Sequence, residues 1–254
     1  MKTSETIFHY TTTSGLVGIL THHELWASDC QLLNDGTELS YARDFFFAEV
    51  KKLKLKPLMD GGYRVAGPSL DMFKVFIACF CEEGDLLSQW RGYGIDQGYA
   101  LGFNTAQLQA LGFGEVVQVQ YGITDPSKYF AQEIKDAAEP SAHPGVSEWH
   151  ASEFLLPRLA SVKHPSFKEE CEWRILKQLP IYELKQPGTN IRYRISDMGP
   201  IAYMVISFPS ECLQEIVIGP GNNTETRKAA VLSMLQSLDF QEVTVRVSNI
   251  PFRK

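Results

Sequence analysis

The segment Glu170-Cys171-Glu172-Trp173-Arg174 concentrates the residue types that do chemistry in this 254-residue chain. On a β-strand, the E-x-E spacing would put both carboxylates on one face, because side chains alternate with a period of two. Two like charges that close together are costly unless cations balance them or one carboxyl keeps a raised pKa for acid or base work. The pair therefore predicts either a balanced ion cluster or a chemical site.

The same pattern allows an interpretation without chemistry. Glu170 and Glu172 could lie on a solvent-exposed strand face, balanced by Arg174 in the same row. Arg174 could instead be a cross-strand neighbour that keeps Glu172 ionised while Trp173 and Ile175 face the core. The sequence leaves these arrangements open.

A second candidate is the N-terminal segment FHYT at 8–11, which predicts a short strand. A ring nitrogen of His9 could donate to a ribose hydroxyl, with Tyr10 and Thr11 beside it. An isolated histidine is, however, more often a satisfied core or edge residue. Together with the two glutamates, this segment suggests one nucleotide-binding cleft.

The third candidate packs a hydroxyl, an amide, an indole and a guanidinium into Ser88-Gln89-Trp90-Arg91, just before Tyr93. Trp90 and Tyr93 offer planes for stacking, and Arg91 offers a two-pronged contact to phosphate or carboxylate. Alternatively, a helix here buries Trp90 in the core while Arg91 points to water. Both interpretations stay open.

Bulk composition narrows the class of protein. With 44% hydrophobic residues, the chain can bury one substantial core. A net charge of -6 argues against a generic polyanion-binding surface, although a local basic patch is allowed, with the lysines from Lys51 to Lys56 as the first candidate. The five scattered cysteines predict reduced thiols, with Cys79 and Cys81 in the core and no zinc-ligand spacing. We therefore expect no metal.

Targeting signals are not found in the sequence. Residues 1–5 have no apolar signal-peptide core, and no apolar run is long enough to span a bilayer. These features predict a cytoplasmic protein without a membrane partner.

Hydrophobic periodicity and turn residues predict the elements that position these candidates. Strands are predicted at 7–11, 24–28, 74–81, 99–103, 116–121, 171–178, 191–196, 201–207, 215–219 and 243–248. Helices are predicted at 14–20 with Ser14 as N-cap, at 37–54 with Leu39, Ala42, Phe46 and Val50 on one stripe, and at 126–138, 147–161 and 225–238. A turn is predicted at 33–36 and a loop at 57–69.

This order of elements favours one fold class. Strands at both ends and helices mostly in the middle fit an α+β domain with mixed or antiparallel strands better than a doubly wound α/β domain. We expect a single domain over residues 1–254, with a loop at 57–69 and a helical insertion at about 126–161.

The order of five motifs resembles a widespread bacterial family of domains of unknown function, found in mobile and defence-associated gene neighbourhoods. The motifs are His9-Tyr10-Thr11, Asn34-Asp35 with Glu38, Cys79-Phe80, Ser88-x-Trp90-x-x-Tyr93 with GYALGF at 98–103, and Glu170-x-Glu172-x-Arg174. The resemblance covers residues 7 to 235, and the layout is similar to the ADP-ribosyltransferase superfamily. It implies an ADP-ribosyltransferase-like fold.

The resemblance also implies roles for individual residues. In that superfamily a first-strand histidine binds the nicotinamide-side ribose, an aromatic ring stacks on nicotinamide, and a late glutamate stabilises the oxocarbenium-like sugar. His9 would match the histidine, and Glu172 the catalytic glutamate, with Glu170 orienting the acceptor. The stacking ring would be Tyr93, Trp90 or Tyr99.

Further contacts to the dinucleotide follow from the same resemblance. Arg91 would hold the pyrophosphate, and Tyr10 and Thr11 would add contacts. Ser88 is only a loose match to the Ser-Thr-Ser strand of the superfamily, which the chain otherwise lacks.

The implied function is cleavage of NAD, as an ADP-ribosyltransferase or an NAD glycohydrolase, in a bacterial toxin or antiphage effector. The implied partners are a small-molecule nucleotide, a protein or nucleic-acid acceptor and an antitoxin protein. A non-catalytic nucleotide-sensing or protein-interaction module is the alternative. A second alternative is a metal-dependent, nuclease-like hydrolase using Glu170, Glu172, Asp35 and Glu38 as ligands.

Overall fold

A computed structural model describes residues 4–32, 38–52, 73–93, 97–138, 155–196 and 199–251. The strands are β1 (Thr6–Thr11), β2 (Glu24–Asp29), β3 (Phe73–Cys81), β4 (Tyr99–Asn104), β5 (Glu115–Gln118), β6 (Gln120–Tyr121), β7 (Val162–Lys163), β8 (Glu172–Pro180), β9 (Ile191–Ser196), β10 (Gly199–Ser207), β11 (Leu213–Ile218) and β12 (Thr244–Val247). The helices are α1 (Thr13–His22), α2 (Glu38–Lys52), α3 (Leu87–Gly92), α4 (Thr105–Ala110), α5 (Pro126–Tyr129), α6 (Ala131–Ala138) and α7 (Thr224–Ser237). Residues 155–160 are also helical.

Ten of these strands form one mixed sheet. The strand order is β12-β11-β4-β1-β3-β2-β10-β9, with β8 paired to β3 and β5 paired to β8. Strands β11 and β12 run parallel, and the other neighbours in this sheet run antiparallel. Strands β6 and β7 form a separate parallel pair. The predicted α+β class is confirmed.

Strand β3 is paired differently along its two edges. Strand β8 pairs with it along all of Phe73 to Cys81. On the other edge, β1 pairs only at Cys81, and β2 pairs only at Phe76 and Ile77. Residues 78–80 therefore face a gap where β1 and β2 diverge, and we call this gap the split of the sheet.

Apolar side chains hold together the strands around the split. The largest buried cluster includes Ile7, Phe80, Phe103 and Ile216, which come from neighbouring strands. Helices α1 and α7 cover it, because their apolar faces carry Leu16, Ile19, Leu20, Val231 and Leu235. Burial of this apolar surface is the main force that fixes the positions of the strands around the split.

A second cluster joins α2 to the part of the chain expected to be a helical insertion. Ala42 and Phe46 of the predicted α2 stripe are fully buried against Phe130 and Leu159. The stripe is therefore confirmed at these two positions. The side chains of Leu39 and Val50 lie outside the described residues, and the single-domain boundary stays a prediction.

Several predicted element boundaries differ from the observed ones. Helix α1 begins one residue earlier, because Thr12 and not Ser14 is the N-cap and accepts from the amide of Gly15 at 3.2 Å. The predicted strand 116–121 is interrupted at Val119, whose amide donates to the carbonyl of Glu172. The predicted helix 126–138 is interrupted at Phe130, which is fully buried.

Other predicted elements lie wholly or partly outside the described residues. These are the turn at 33–36, the loop at 57–69 and the first part of the helix at 147–161. In the part of the chain that the structure describes, no helix is both long enough and apolar enough to cross a membrane.

Candidate active site in the split of the sheet

A cleft of about 90 Å³ opens at the split of the sheet. It brings together His9, Tyr93, Glu170 and Glu172, which are distant in sequence. The full lining is Phe8, His9, Tyr10, Cys79, Phe80, Cys81, Gln89, Tyr93, Glu170 and Glu172. The predicted convergence of the N-terminal segment with the glutamate pair is therefore observed.

His9 fills the position where β1 leaves β3. Its Nδ1 lies 2.9 Å from the carbonyl oxygen of Cys79, and its ring contacts Phe80 edge to face. Because a carbonyl oxygen can only accept, Nδ1 carries the proton. Desolvation by burial lowers the pKa of His9, which leaves the ring neutral at pH 7 and Nε2 free to accept a hydrogen bond.

Glu172 is the centre of the charge arrangement. It begins β8 and is 5% exposed. Its two carboxylate oxygens accept from Arg174 at 2.7 and 2.9 Å, and Lys163 lies 3.0 Å from Oε2. Burial would raise the pKa of Glu172, but Arg174 and then Lys163 outweigh it and hold the pKa below its usual value. The carboxylate is therefore ionised.

Arg174 is itself fixed in the protein interior. It is 3% exposed and donates from Nη1 to the carbonyl of Ala160 at 2.6 Å. The Glu172–Arg174 pair thus lies within one strand, as one interpretation expected, and not across two strands, as the other expected; it is buried and does not lie on a solvent face. Trp173 and Ile175 face the core at 6% and 1% exposure, as the other interpretation expected.

Glu170 reaches the cleft by a different route from the one predicted. It ends a 3-10 turn over Pro165–Glu170, and Cys171 then turns the chain with a φ of 44° before β8 begins. The two glutamates therefore do not share a strand face. Lys163 brings them together, because its ammonium also lies 2.5 Å from Glu170.

The environments of the two carboxylates differ. The Glu170 side chain is 21% exposed, three times the 7% of the Glu172 side chain. Within the described residues, the hydrogen bonds and ion pairs of Glu170 use Oε2 alone. Glu170 is therefore the carboxylate with an oxygen left to meet a ligand.

Cys79 corrects the expectation of a core cysteine. Its side chain faces the cleft and is exposed, whereas Cys81 is buried at 1%. The cleft walls around the thiol desolvate it. This desolvation, and then the charge of Glu172, raises the pKa of Cys79 well above its usual value. The protonated thiol donates a hydrogen bond to Glu172, which helps to keep that carboxylate ionised.

The residues next to His9 have structural contacts. The hydroxyl of Tyr10 donates to the carbonyl of Glu83 at 2.8 Å and accepts from the amide of Leu86 at 3.0 Å, so it fixes the chain before α3. Its ring reaches the cleft wall. Thr11 does not line the cleft, because its hydroxyl packs over Gly15 of α1.

The segment from Ser88 to Tyr93 divides between core and cleft. Trp90 is 2% exposed, packs edge to face on Tyr10 and donates from its indole to Asp85 at 2.8 Å, so the core interpretation holds for it. Ser88 and the exposed Arg91 do not line the cleft. Tyr93 does line it, with 51% of its surface exposed.

Of the three aromatic candidates for stacking on nicotinamide, Tyr93 is the one that lines the cleft. Burial on one side, and then the charge of Glu170, raises its pKa to about 12, so its hydroxyl stays protonated. Tyr99, in contrast, is 5% exposed and packs under the guanidinium of Arg227 at 4.8 Å.

Sequence reasoning missed Lys163 and Gln89. Lys163 is 3% exposed and follows the buried run Leu159-Ala160-Ser161-Val162, and a lysine at the end of a mostly apolar run is a usable signal because, once buried, it must find an anion. Gln89 is 7% exposed and lines the cleft from α3. In the sequence it stands out as the amide of the third candidate, with no role of its own.

A metal site was a further alternative. Among the described residues, no group of three or more histidine, cysteine, aspartate or glutamate side chains is placed to hold a metal ion. Asp35 and the side chain of Glu38 lie outside those residues, so the predicted ligand set is not brought together in the described part of the chain.

Comparison with known proteins gives a partial sequence match. A family described as a protein of unknown function (DUF2971) matches residues 89–175, which include Tyr93, Glu170 and Glu172 but not His9. This agrees with the expected resemblance to a family of unknown function. No curated protein matches the chain.

Two solved structures are similar to the chain over most of its length. Thermus sp. 2.9 DarT in complex with NAD+ covers 96% of this chain and 96% of its own, at 11% identity and a TM-score of 0.34. Thermus sp. 2.9 DarT in complex with ADP-ribosylated ssDNA covers 96% of this chain and 94% of its own, at 15% identity and a TM-score of 0.36. At such scores the function has to be argued from the cleft itself.

Proposed function

We propose that this protein is an ADP-ribosyltransferase-like enzyme that cleaves the bond between ribose and nicotinamide in NAD, with transfer of ADP-ribose or hydrolysis as the outcome. One observation carries the proposal. His9, Tyr93, Glu170 and Glu172 converge from separate segments on one cleft whose charges are balanced. The family resemblance implies a ribose contact for His9, the reacting sugar for Glu172 and the acceptor for Glu170, and it names Tyr93 among three candidates for stacking on nicotinamide.

The electrostatics of the cleft suit this reaction. Loss of nicotinamide builds positive charge on the ribose, and a fixed carboxylate in a water-poor site stabilises that charge. Glu172 is kept ionised by Arg174, Lys163 and Cys79, and Arg174 binds both of its oxygens. We assign it to the sugar, and we assign Glu170, with its free oxygen, to the incoming nucleophile.

His9 and Tyr93 would position the substrate. Because Nε2 of His9 is an acceptor, a ribose hydroxyl would donate to it, which reverses the direction expected from the sequence. Tyr93 offers its ring at the mouth for stacking on nicotinamide. The volume of about 90 Å³ suits one ring or sugar, so the rest of the dinucleotide would lie across the protein surface.

Nicotinamide release from NAD is the direct test. Glu172→Gln should lower the rate by about two to three orders of magnitude, the usual loss when one electrostatic stabiliser is removed. Glu170→Gln should lower transfer to an acceptor more than it lowers release. Glu133→Gln is the matched control, because Glu133 is also buried and paired to an arginine, Arg158, but does not line the cleft.

Folding has to be checked in the same experiment. Glu172→Gln leaves Arg174 with a weaker partner in the interior, and loss of one member of a buried pair costs about 3–5 kcal/mol. Circular dichroism and NAD binding will identify a folded but inactive variant. Full release by folded Glu172→Gln would contradict the assigned role.

One observation favours a second candidate, a non-catalytic nucleotide-binding module. Both oxygens of Glu172 are occupied and the residue is 5% exposed, as in a purely structural ion pair. In that case wild type binds NAD without releasing nicotinamide, with or without cell lysate.

The acceptor and the biological role belong to the same proposal. Release that is faster with lysate indicates transfer, and labelled NAD will show whether protein or nucleic acid receives the ADP-ribose. Uncontrolled NAD consumption or ADP-ribosylation harms a cell, so we propose that the protein acts as a bacterial toxin or antiphage effector held in check by an antitoxin protein.

A further inference from the structure

An aromatic and basic surface lies beside the split, on strands that the candidate site does not use. We define the aromatic–arginine surface as Trp26 of β2, Tyr203 of β10, and Arg192 and Arg194 of β9. Tyr203 is registered with Arg192 on one side and with Ser28 on the other. Since side chains alternate along each strand, all four residues lie on one face of the sheet.

Trp26 forms a platform on this surface. Its ring stacks on Tyr203 with centroids 4.3 Å apart and planes at 26°. Tyr203 is 6% exposed, but Trp26 is 46% exposed. One face of a large aromatic side chain is thus supported from below while the rest meets solvent, which leaves it available for stacking by a planar ligand.

The arginines give this surface a positive charge. Arg192 is 3.0 Å from Glu24, and Arg194 donates from Nε to the hydroxyl of Ser28 at 3.4 Å. Among the described residues, Arg194 has no carboxylate partner. Two guanidinium groups therefore face one carboxylate, on a chain whose net charge is -6.

The register places the surface next to the candidate active site. Strand β2 pairs with β3 through Ser28 and Ile77, and the pairing ends there. Two residues further towards the split lie Trp26 on β2 and Cys79 on β3, each on the same face as its ladder neighbour. That face of β3 and β8 also carries Glu172, because Cys81 and Glu172 are cross-strand partners.

We infer that the aromatic–arginine surface binds single-stranded nucleic acid and presents it to the cleft as the acceptor, a role that rests on the proposed NAD cleavage. An exposed aromatic platform stacks on unpaired bases of any sequence, and arginines beside it neutralise phosphates. A duplex keeps its bases stacked inside and cannot use Trp26 in this way. The surface therefore distinguishes single strands from duplexes.

Direct binding tests the inference without NAD. Fluorescence anisotropy is measured with labelled single-stranded RNA and DNA of the same mixed sequence and with the corresponding duplex. Trp26→Ala should weaken single-strand binding about tenfold or more, as expected for one lost stacking contact. The double variant Arg192→Ala/Arg194→Ala should weaken it and reduce the slope of log affinity against log salt by about 1.4.

Tyr193→Ala is the matched control. Tyr193 lies between the two arginines on β9 and is 69% exposed, but it projects from the opposite face of the sheet. This variant should bind single strands within about twofold of wild type. Equal weakening by Trp26→Ala and Tyr193→Ala would show that the face does not matter and would overturn the inference.

The result is independent of catalysis. The binding assay contains no NAD, so it reads the surface whether or not the protein cleaves NAD, and failure of the proposed function and failure of this surface are told apart. No single-strand binding by wild type at low salt, or duplex binding as tight as single-strand binding, would overturn the inference. ADP-ribose found only on protein would overturn the acceptor role.

Discussion

The chemistry of the cleft depends on how individual charges are neutralised. Two carboxylates, Glu170 and Glu172, face two cations, Lys163 and Arg174, so the cluster has no formal net charge. Each ion would be expensive to bury alone, and the contacts between them offset that cost. A positively charged sugar can therefore approach an ionised carboxylate without a large field from the rest of the cluster.

His9 gives a testable pH dependence at the residue scale. Burial lowers its pKa in the folded protein below the unfolded value of about 6.5, so folding favours the neutral ring. The stability that follows is present above the unfolded pKa and is lost as the pH falls through the folded pKa. As the pH falls below about 6.5, the wild type should lose up to about 1.4 kcal/mol per pH unit from this group.

His9→Asn should remove this dependence. Asparagine keeps an N–H group that can approach the carbonyl of Cys79, but it does not titrate. Denaturant unfolding at several pH values measures the difference, and His22→Asn, at an exposed position in α1, is the control. An identical pH slope in wild type and His9→Asn would contradict the placement of a neutral His9.

At the scale of elements, β3 decides where the cleft can form. One edge is fully occupied by β8, and the other is shared by β1 and β2, which leave it at different points. Backbone groups in such a gap need partners from side chains, and His9 supplies one for Cys79. The break in the ladder thus creates the cleft and also holds the histidine in it.

The space around two glycines predicts opposite effects of replacing each with alanine. A Cβ at Gly102 of β4 would lie 2.7 Å from the ring of Phe8, whereas a Cβ at Gly18 of α1 meets nothing within 4 Å. Gly102→Ala should cost about 1–3 kcal/mol through overpacking. Gly18→Ala should stabilise by about 0.5–1 kcal/mol, because glycine is a poor residue in a helix interior.

Chemical denaturation of both variants measures these free energies. The two substitutions add the same methyl group, so a difference in sign isolates the effect of the space around each position. Similar changes in both variants would mean that Phe8 does not constrain β4 as the structure indicates.

At the scale of the molecule, the candidate site takes residues from strands on both edges of β3. His9 belongs to β1, which continues the sheet through β4, β11 and β12. Glu172 belongs to β8, on the other edge of β3. A ligand that touches both must stabilise the folded arrangement as a whole, because it binds the folded chain and not the unfolded one.

NAD should therefore raise the melting temperature. With Glu172→Gln, which should consume the substrate only slowly, a concentration about 100 times the Kd adds about 2.7 kcal/mol. For a chain of this size, that corresponds to a rise of about 5–10 °C. Thermal unfolding measures it, and Tyr93→Ala should reduce the shift while Tyr193→Ala keeps it. No shift at any NAD concentration would argue against NAD as the ligand.

Local sequence patterns were enough to predict most secondary structure and the residue types of the site. Strands β1, β3 and β4 and helix α7 were predicted within one or two residues, because the hydrophobic period that defines them is a property of neighbouring positions. The α+β class followed from their order. The gathering of His9 with Glu170 and Glu172 was also predicted, from the residue types of the two segments and not from periodicity.

The use of these residues in the site depends on long-range packing. Which of Trp90 and Tyr93 enters the cleft, which glutamate keeps a free oxygen, and that Lys163 joins the two carboxylates all depend on contacts between distant segments. Local patterns do not encode such contacts, because strand register and the point where β1 and β2 leave β3 are set by packing of the whole core.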